Sequence, residues 1–537
     1  MKQLDATLQR RGWSPTRVGP LAAPLLAALL VGLSQLLGWH GVDYAAQIYR
    51  VDSFRANGLP LWDFQWYGGN WTLDYSTLFP PMAAFLGVAT VTVLSAAGAT
   101  LAFDRLAVRH FGRPGRVAAL VFAAGTVVQA SIGQLPFLCG EAFGLGACWA
   151  ASRGRWLLAS LLAMASTLTS PLAGAFVVIV LAAWLLFVWR AANHHGSIVK
   201  TAIVVVSAGL PVAVTAVLFP GAGAMPYPVV DYAWEMLIAF GLWVAATRNE
   251  PVIRCGIVVY AAAATFAVAV PSPIGGNIGR LGDVLALPLA AALLLPRWRA
   301  VLPLAAVPLV LSQWSPAWGA ITSAASQPST HAAYFAPMVA ALKRFSIGAP
   351  AGRVEVIPTE YHWEAAYVAP VMPLARGWER QLDVADDPIF YHSGALDART
   401  YSSWLLANGV TFVALPDAPL DFAGKAEAKL VSSGAVPDLQ AIWQSPHWRL
   451  YRVSGSQGIV DRPDRLISAT GGQLVVDAPR PGAVLIRIRY SSDWTLATGS
   501  GCVSRADQSW ISVDATVPEQ FKLTLSVLSG GQTDCET

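Results

Sequence analysis

Charged residues are scarce in this chain. Only 13% of its 537 residues are Asp, Glu, Lys or Arg, and 55% are hydrophobic, whereas soluble domains carry roughly 25% charged residues. The formal net charge of +4 is small, so composition gives no reason to propose nucleic acid as a partner. Apolar runs of about 20 residues, the length that crosses a bilayer, recur through residues 1–315. That part of the chain is therefore predicted to be a polytopic membrane protein.

Cysteine is also rare, with five residues in the whole chain. Cys139, Cys148 and Cys255 lie in apolar segments, as is typical of inert core thiols. Cys502 and Cys535 lie in polar sequence, and we expect a disulfide between them if that region is outside the cell. There is no CxxC motif and no Cys/His cluster, so no metal site and no cofactor are predicted, with a divalent metal left open.

About eleven membrane spans can be placed from the apolar runs, and they define a transmembrane domain over residues 1–315. They lie near 20–39, 80–103, 115–131, 136–152, 156–170, 172–190, 199–218, 229–247, 252–270, 282–296 and 300–315.

The loops between these spans alternate in charge. One set is nearly free of Lys and Arg, apart from Arg50, Arg55 and Arg280. The positive-inside rule assigns the basic set to the cytoplasm. The N-terminus is then cytoplasmic, while residues 40–81 and everything after residue 315 lie outside the plasma membrane. The basic set contains Arg10, Arg11, Arg17, Arg105, Arg109, Arg113, Arg116, Arg153, Arg155, Arg190, Lys200, Arg248, Arg254, Arg297 and Arg299.

The remainder of the chain has short apolar runs and ordinary charge. Residues 316–455 are predicted to form an exported α/β subdomain, because a helical pattern is followed by short buried-strand patterns. From about residue 456 to 537, period-2 segments such as QLVVDA, AVLIRIRY, SWISVDA and FKLTLSV indicate a β-sandwich. The expected fold class is thus a polytopic α-helical membrane domain followed by an exported α/β plus β-sandwich domain.

Residues 40–81 contain a dense group of charged and aromatic side chains. This loop holds four aspartates and two arginines among many Trp and Tyr residues, which a simple linker between spans does not need. Asp43, Gln47 and Arg50 follow helical spacing and are expected to share one helix face. A carboxylate at that place suits general-base work on an acceptor hydroxyl. A helix-capping or ion-paired Asp in an interfacial helix is the plainer alternative.

Other side chains are candidates for binding sugars, since aromatic rings stack on sugar faces and carboxylates accept hydrogen bonds from hydroxyls. The interfacial aromatic belt is the competing explanation for the rings, and an ion pair is the competing explanation for Asp52. The candidates are Arg50, Asp52, Trp66, Tyr67, Trp71 and Asp74 of the loop, with Trp378 and Glu379 of the exported part.

Arg280 lies in the segment PSPIGGNIGRL, in a predicted outer loop. With Asn277 it could hold the phosphate of a lipid donor, because the guanidinium fork matches an oxyanion. An arginine that snorkels to the membrane edge is the alternative. Glu141, within a predicted span, is a weaker candidate for lining a substrate cavity.

The segments GVDYAAQIYRVDSFRANG, WDFQWYGG and LFPP, with the exported C-terminal part, resemble the GT-C superfamily of membrane glycosyltransferases. The closer likeness is to YfhO-like and actinobacterial cell-envelope members, and RPGAVLIRIRYSSDW is similar to their terminal β-strand segment. The resemblance implies that Asp43 acts on the acceptor and that Arg280 steadies the leaving phosphate. A single Asp stands in GVDY instead of an adjacent acidic pair, which argues against metal dependence.

The function implied by this resemblance is inverting transfer of a sugar from a polyprenyl-phosphate donor. The acceptor would be a cell-envelope glycan, a glycolipid or another acceptor on the outer face of the plasma membrane. Two alternatives remain. A lipid-linked glycan transporter or flippase should show two related halves, and none is visible in the sequence. A non-catalytic glycan-binding envelope scaffold would survive substitution of Asp43.

Overall fold

The structure, a computed structural model, describes residues 19–190, 195–221, 223–248, 250–507, 509–527 and 535. The basic segment that precedes the first predicted span, with Arg10, Arg11 and Arg17, lies outside the described residues. The chain is helical as far as residue 345, apart from one short hairpin, and rich in β-structure after residue 352.

Thirteen helices precede residue 315 in the described part of the chain. Twelve of them occupy the eleven stretches predicted as spans, and the other, α2, begins directly after Asp43 in the loop. The helices are α1 (Ala22–Leu36), α2 (Tyr44–Asn57), α3 (Phe79–Leu86), α4 (Val88–Phe111), α5 (Arg113–Ile132), α6 (Leu135–Ser152), α7 (Trp156–Thr169), α8 (Pro171–Arg190), α9 (His195–Leu218), α10 (Val229–Ala245), α11 (Pro251–Ala269), α12 (Gly279–Leu294) and α13 (Leu302–Trp314).

Six helical segments within the described residues are long and apolar enough to cross a membrane, judged by length and composition. They are Val88–Phe111, Arg113–Ile132, Pro171–Arg190, Ile198–Leu218, Pro251–Ala269 and Gly275–Leu294. The helices α1, α7, α10 and α13 have 13 to 17 residues. At 1.5 Å per residue they are roughly 20–26 Å long, shorter than a hydrocarbon core of about 30 Å. A membrane domain is therefore supported, and the count of eleven spans stays a prediction.

The stretch 80–103, predicted as one span, is two helices. The break is at Gly87, whose φ is +87°; a glycine with positive φ is a common helix terminator because it lacks a Cβ. The first helix, α3, has only eight residues, and its Phe85 is 83% exposed. Of the two helices, α4 is the one that is long and apolar enough to cross a membrane.

Residues 353–453 contain a four-stranded sheet of order β3-β4-β6-β5. The first two strands are parallel and the others antiparallel. Every residue of β3 and β4 is buried. This fits the mainly apolar sequence of β4, whereas β3 also buries Arg353 and Glu355. The strands are β3 (Arg353–Val356), β4 (Val410–Pro416), β5 (Leu439–Gln444) and β6 (Trp448–Val453). Two helices precede the sheet, α14 (Trp318–Thr322) and α15 (Ala332–Phe345), and four lie within the region, α16 (Glu364–Tyr367), α17 (Arg380–Asp386), α18 (Ala398–Ala407) and α19 (Lys425–Ser432).

The last part of the chain forms two antiparallel sheets that share one hydrophobic core. Inward-facing residues alternate with exposed ones along the strands, as in a sandwich. Cys502 and Cys535 are joined by a disulfide, with their Cα atoms 5.0 Å apart. One sheet has the order β10-β13-β8-β7 and the other β11-β12-β9, with β7 (Arg465–Thr470), β8 (Gln473–Ala478), β9 (Gly482–Arg489), β10 (Trp494–Thr498), β11 (Gly501–Ala506), β12 (Trp510–Ala515) and β13 (Glu519–Leu525).

The loop of residues 40–81 is enclosed between the helical part and the C-terminal region. Besides α2 it holds a small hairpin of β1 (Trp62–Asp63) and β2 (Asn70–Trp71). The backbone N–H of Leu374 donates to the carbonyl of Gln65 at 2.8 Å, and that of Arg489 donates to Gly68 at 2.9 Å. Both C-terminal subdomains therefore contact this loop, and its side chains meet residues that lie more than 300 positions later in the sequence.

Candidate active site

Asp43 lies at the N-terminus of α2, against the end of α5. Its backbone N–H donates to the carbonyl of Ile132 at 2.9 Å, and its Oδ1 accepts a hydrogen bond from Nε1 of Trp378 at 3.1 Å. The carboxylate makes no capping hydrogen bond to the helix. It also has no ion-pair partner among the residues that the structure describes. Within the described residues, Asp43 is therefore neither a helix cap nor a member of an ion pair, the two simpler roles considered from the sequence.

The surroundings of Asp43 change its acidity. Burial raises the pKa of its carboxyl, while the charge of Arg280 and the hydrogen bond from Trp378 oppose that rise. His362 and Arg380 also lower it to a smaller extent, and the pKa stays above the ordinary aspartate range. A general base is most effective when its pKa approaches the working pH, so this environment suits proton transfer.

Arg280 is the second residue of α12, and its guanidinium lies 5.8 Å from the ring centre of Phe137. Within the described residues it has no carboxylate at ion-pair distance. It lines a small cleft of about 60 Å³ between α5, α6, α12 and α13. Polar side chains that share this lining are Thr126, Gln129, Gln134, Glu141, Asp283 and Gln313.

Several polar atoms of this cleft lack a hydrogen-bond partner among the residues that the structure describes. The Oε1 atoms of Gln129 and Gln313 and the Oε2 atom of Glu141 are buried without a hydrogen bond. An unsatisfied buried polar atom costs about 1–3 kcal/mol, so such atoms usually meet water or a ligand. Ile132 also lines the cleft and bonds to Asp43, so the carboxylate and the cleft share one stretch of backbone.

Gly133 holds this stretch close to α2. Its φ is +98°, and a Cβ at this position would overlap the backbone of Tyr44 and Asp43. Gly154 offers a matched control, since its φ of +75° is also positive but a Cβ there meets nothing within 4 Å.

We therefore expect Gly133→Ala to lower both stability and turnover, whereas Gly154→Ala lowers stability by only about 1 kcal/mol. The steric overlap should add about 1–3 kcal/mol to the loss at Gly133, because α2 has to move. Thermal unfolding of the purified variants gives the comparison. Equal losses for the two variants would show that the contact at Gly133 has no role.

Tyr75 is the centre of a second group of side chains beside α2. This group includes three predicted sugar-binding residues, Arg50, Trp378 and Glu379. Gln47 Nε2 donates to its hydroxyl at 3.3 Å, and the guanidinium of Arg50 lies 4.1 Å from its ring centre. Trp378 meets its ring edge-on at 5.7 Å. Arg50 also pairs with Glu379. The helix face expected to carry Asp43, Gln47 and Arg50 thus points into one cluster.

Asp74 lies near this cluster and titrates unusually. Burial raises the pKa of its carboxyl to about 7, helped by the charge of Glu379 and opposed by that of Arg50. Burial also raises the pKa of Glu379. The charge of Arg50 acts on both carboxyls, and the raised pKa of each favours a protonated form that can donate as well as accept hydrogen bonds.

The other predicted sugar-binding residues have different positions. Asp52 is more than half exposed and pairs with Arg55 at 2.8 Å, apart from the cluster. Trp66 and Tyr67 are 0% and 1% exposed, and Trp71 is 6% exposed. Trp66 and Tyr67 belong to the core under the cluster, whereas Trp71 packs into the core of the sandwich. Protein atoms cover these three rings, so a sugar could stack on them only if they became exposed.

Asn277 is part of the single 3₁₀ turn Gly275–Ile278 that leads into α12. It therefore lies about one turn before Arg280. Its side chain is partly exposed, which leaves the amide accessible to a ligand. Its predicted contact with phosphate stays a prediction.

His362 is a site residue that the sequence did not distinguish from a domain surface. It is 6% exposed, and its φ of +54° is unusual for a residue other than glycine. Its Nδ1 lies 3.3 Å from Glu364 and its Nε2 3.6 Å from Asp421. Burial opposes the charged form, but hydrogen bonds to Asp421 and Glu364 prevail and raise its pKa to about 9. Backbone strain of this kind is concentrated at functional sites.

A raised histidine pKa makes stability depend on pH with a definite sign. His362 titrates at about 9 when folded, against about 6.5 when unfolded. Its contribution is then complete below pH 6.5 and is lost as the pH rises through 9. We expect His362→Gln to destabilise the protein by on the order of 3 kcal/mol at pH 6 and by much less at pH 9.5. Thermal unfolding at the two pH values tests this, and an equal loss at both would contradict a charged His362.

Among the described residues, no group of three or more His, Cys, Asp or Glu side chains is arranged to hold a metal ion. No family model matches the chain, and no curated protein matches it.

The solved structures that are similar to the chain include two of one protein. One is the cryo-EM structure of the arabinofuranosyltransferase AftD from Mycobacteria, with a TM-score of 0.49 and 14% identity, covering 88% of this chain and 42% of that one. The other is a mutant of the same protein, with a TM-score of 0.46 and 16% identity, covering 88% and 43%. This chain therefore spans less than half the length of those structures. Similarity at this level carries no argument about function.

Proposed function

We propose that this chain is a GT-C-type membrane glycosyltransferase that moves one sugar, with inversion, from a polyprenyl-phosphate donor. The acceptor is a cell-envelope glycan or another hydroxyl on the outer face of the plasma membrane. One observation carries the proposal: within the described residues Asp43 has neither a capping hydrogen bond nor an ion pair, and the charge of Arg280 acts on its carboxyl. Arg280 itself has no carboxylate at ion-pair distance in the described part of the chain, and it lines a polar cleft. The outer-face assignment rests on the charge alternation of the loops, and the YfhO-like and actinobacterial likeness rests on the sequence motifs.

In the proposed step, Asp43 accepts the proton of the acceptor hydroxyl as that oxygen attacks the anomeric carbon. The bond between that carbon and the phosphate oxygen breaks, and its electron pair leaves with the phosphate. Negative charge therefore grows on the phosphate, where Arg280 stabilises it more strongly in the transition state than in the donor. Asn277, one turn earlier, is proposed to donate its amide to the same phosphate.

The mouth of the cleft and the Tyr75 cluster are proposed to contact the two sugars. In the cleft, the unsatisfied oxygens of Gln129, Gln313 and Glu141 can accept hydrogen bonds from hydroxyls of the donor sugar. On the other side of Asp43, the partly exposed Trp378 and the Asp74–Glu379 pair suit an acceptor glycan. The buried rings of Trp66 and Tyr67 belong to the core on which these side chains pack.

Turnover on defined donors tests the proposal. The purified chain, reconstituted in proteoliposomes, is incubated with a panel of polyprenyl-phosphate sugars and envelope glycan acceptors, and released polyprenyl phosphate is measured. At least one donor should give release that depends on acceptor. Nucleotide sugars serve as the control and should give none. Transfer from a nucleotide sugar, or binding of glycan without release from any donor, would overturn the proposal.

A further inference from the structure

A second, larger cavity lies on the surface of the helical part, in a groove between α4 and α6. Its volume is about 890 Å³. Small residues such as Gly98, Ala142 and Gly146 form its floor, and Leu86 and Leu94, both more than half exposed, form its rim. No other described element fills this trough. A long apolar depression on membrane-crossing helices can take hydrocarbon chains.

One end of the groove is strongly basic. Arg105, Arg109 and Arg153 line it and are exposed, and none has a carboxylate at ion-pair distance among the described residues. A fourth arginine, Arg116, is already neutralised by the buried Asp104, at 2.6 Å. The free positive charge is thus concentrated at the end of an otherwise apolar trough.

This basic end is remote from the candidate active site. Asp43 contacts the backbone that precedes α6, whereas Arg153 directly follows its last residue. An 18-residue helix is roughly 27 Å long, close to the thickness of a bilayer core. In the proposed topology, the arginines lie at the cytoplasmic face and Asp43 at the outer face.

We propose that the groove binds one anionic glycerophospholipid, with its acyl chains in the trough and its phosphate on Arg105, Arg109 and Arg153. Three unpaired guanidinium groups complement an anionic headgroup, since each can donate two parallel hydrogen bonds to phosphate oxygens. Basic pockets between membrane helices at the cytoplasmic side are suited to such headgroups. The site is independent of the proposed catalytic step.

Native mass spectrometry of the delipidated full-length chain tests the site, with phosphatidylglycerol and phosphatidylcholine of identical acyl chains as probes. One molecule of phosphatidylglycerol should bind about 100-fold more tightly than phosphatidylcholine. The variant Arg105→Gln/Arg109→Gln/Arg153→Gln should lose this preference, at about fivefold per arginine. Equal affinities for the two lipids in the unmodified chain would overturn the proposal.

A charge-matched control is available on other loops of the same face. The variant Arg190→Gln/Arg248→Gln/Arg299→Gln removes three exposed arginines that do not line the groove. It should keep the preference for phosphatidylglycerol within about twofold. An equal loss in this variant would mean that general surface charge attracts the lipid, which would contradict a specific site.

The trough itself is tested by Gly98→Leu. A Cβ there meets only Ala142, at an ordinary 3.8 Å, so the helices tolerate it while the rest of the side chain fills the groove. Affinity for both lipids should fall about tenfold, with an unchanged melting temperature. Glycerol 3-phosphate should not displace the lipid. Displacement by this soluble headgroup, or full affinity in Gly98→Leu, would show an anion site that does not use the trough.

Discussion

Replacing Asp43 with asparagine is expected to reduce kcat/KM for sugar transfer by about 10²- to 10⁴-fold, the usual contribution of a general base. Asparagine keeps the shape of the side chain, and its carbonyl oxygen can still accept the hydrogen bond from Trp378. What it loses is the ability to take the acceptor proton. The loss should therefore appear mainly in kcat, with the unfolding temperature close to that of the unmodified chain.

The matched control for this variant is Asp231→Asn. Asp231 is exposed in the first turn of α10 and has no ion pair among the residues that the structure describes. Turnover in this control should stay within about twofold of the unmodified chain. A fully active Asp43→Asn variant would exclude Asp43 as the base and would favour a glycan-binding scaffold or a transporter.

Arg280→Gln is expected to reduce turnover by about 10²- to 10³-fold, as for removal of one donor that stabilises developing charge. The guanidinium has no competing carboxylate at ion-pair distance among the described residues, so its charge is available to the donor phosphate. The KM for the lipid donor should rise as well, because the phosphate is already anionic before transfer. Arg280→Lys keeps the charge but loses the planar fork, and an intermediate loss is expected.

Arg55→Gln is the appropriate control for Arg280. Arg55 is an arginine of the same predicted face, half exposed and paired with Asp52, and exposed pairs contribute little. Its removal should leave donor KM within about twofold. If Arg280→Gln and Arg55→Gln behave alike, Arg280 is an arginine of the membrane edge and does not bind the donor.

Much of the fold could be predicted from hydrophobic pattern. Helices occupy all eleven apolar stretches, and the alternating segments at β8, β9, β12 and β13 are strands. Strands such as β5 and β7 were not predicted, because they lie at sheet edges and most of their residues are at least partly exposed. An edge strand needs no strict alternation of apolar and polar residues, so its pattern is weak.

The candidate site could be predicted only in part, because its members come together through tertiary contacts. The charge of Asp43 and Arg280 in largely apolar surroundings was visible in the sequence. Trp378, which bonds to Asp43, is 335 positions away, and no local pattern connects them. The aromatic residues show the converse problem: Trp66 looks like a sugar platform in sequence but is fully buried, since composition does not reveal which ring faces are covered.

The most direct test of the account is the pH dependence of kcat/KM in the unmodified chain and in Arg280→Gln. It tests whether Asp43 is the base and whether the charge of Arg280 lowers its pKa. Asp43 must be ionised to accept a proton, so activity should fall on the acid side of its raised pKa. Arg280 is the strongest charge that lowers this pKa; its removal should therefore move the acid limb to higher pH, with Arg280→Lys close to the unmodified chain. An acid limb that stays at the same pH in Arg280→Gln would contradict the account.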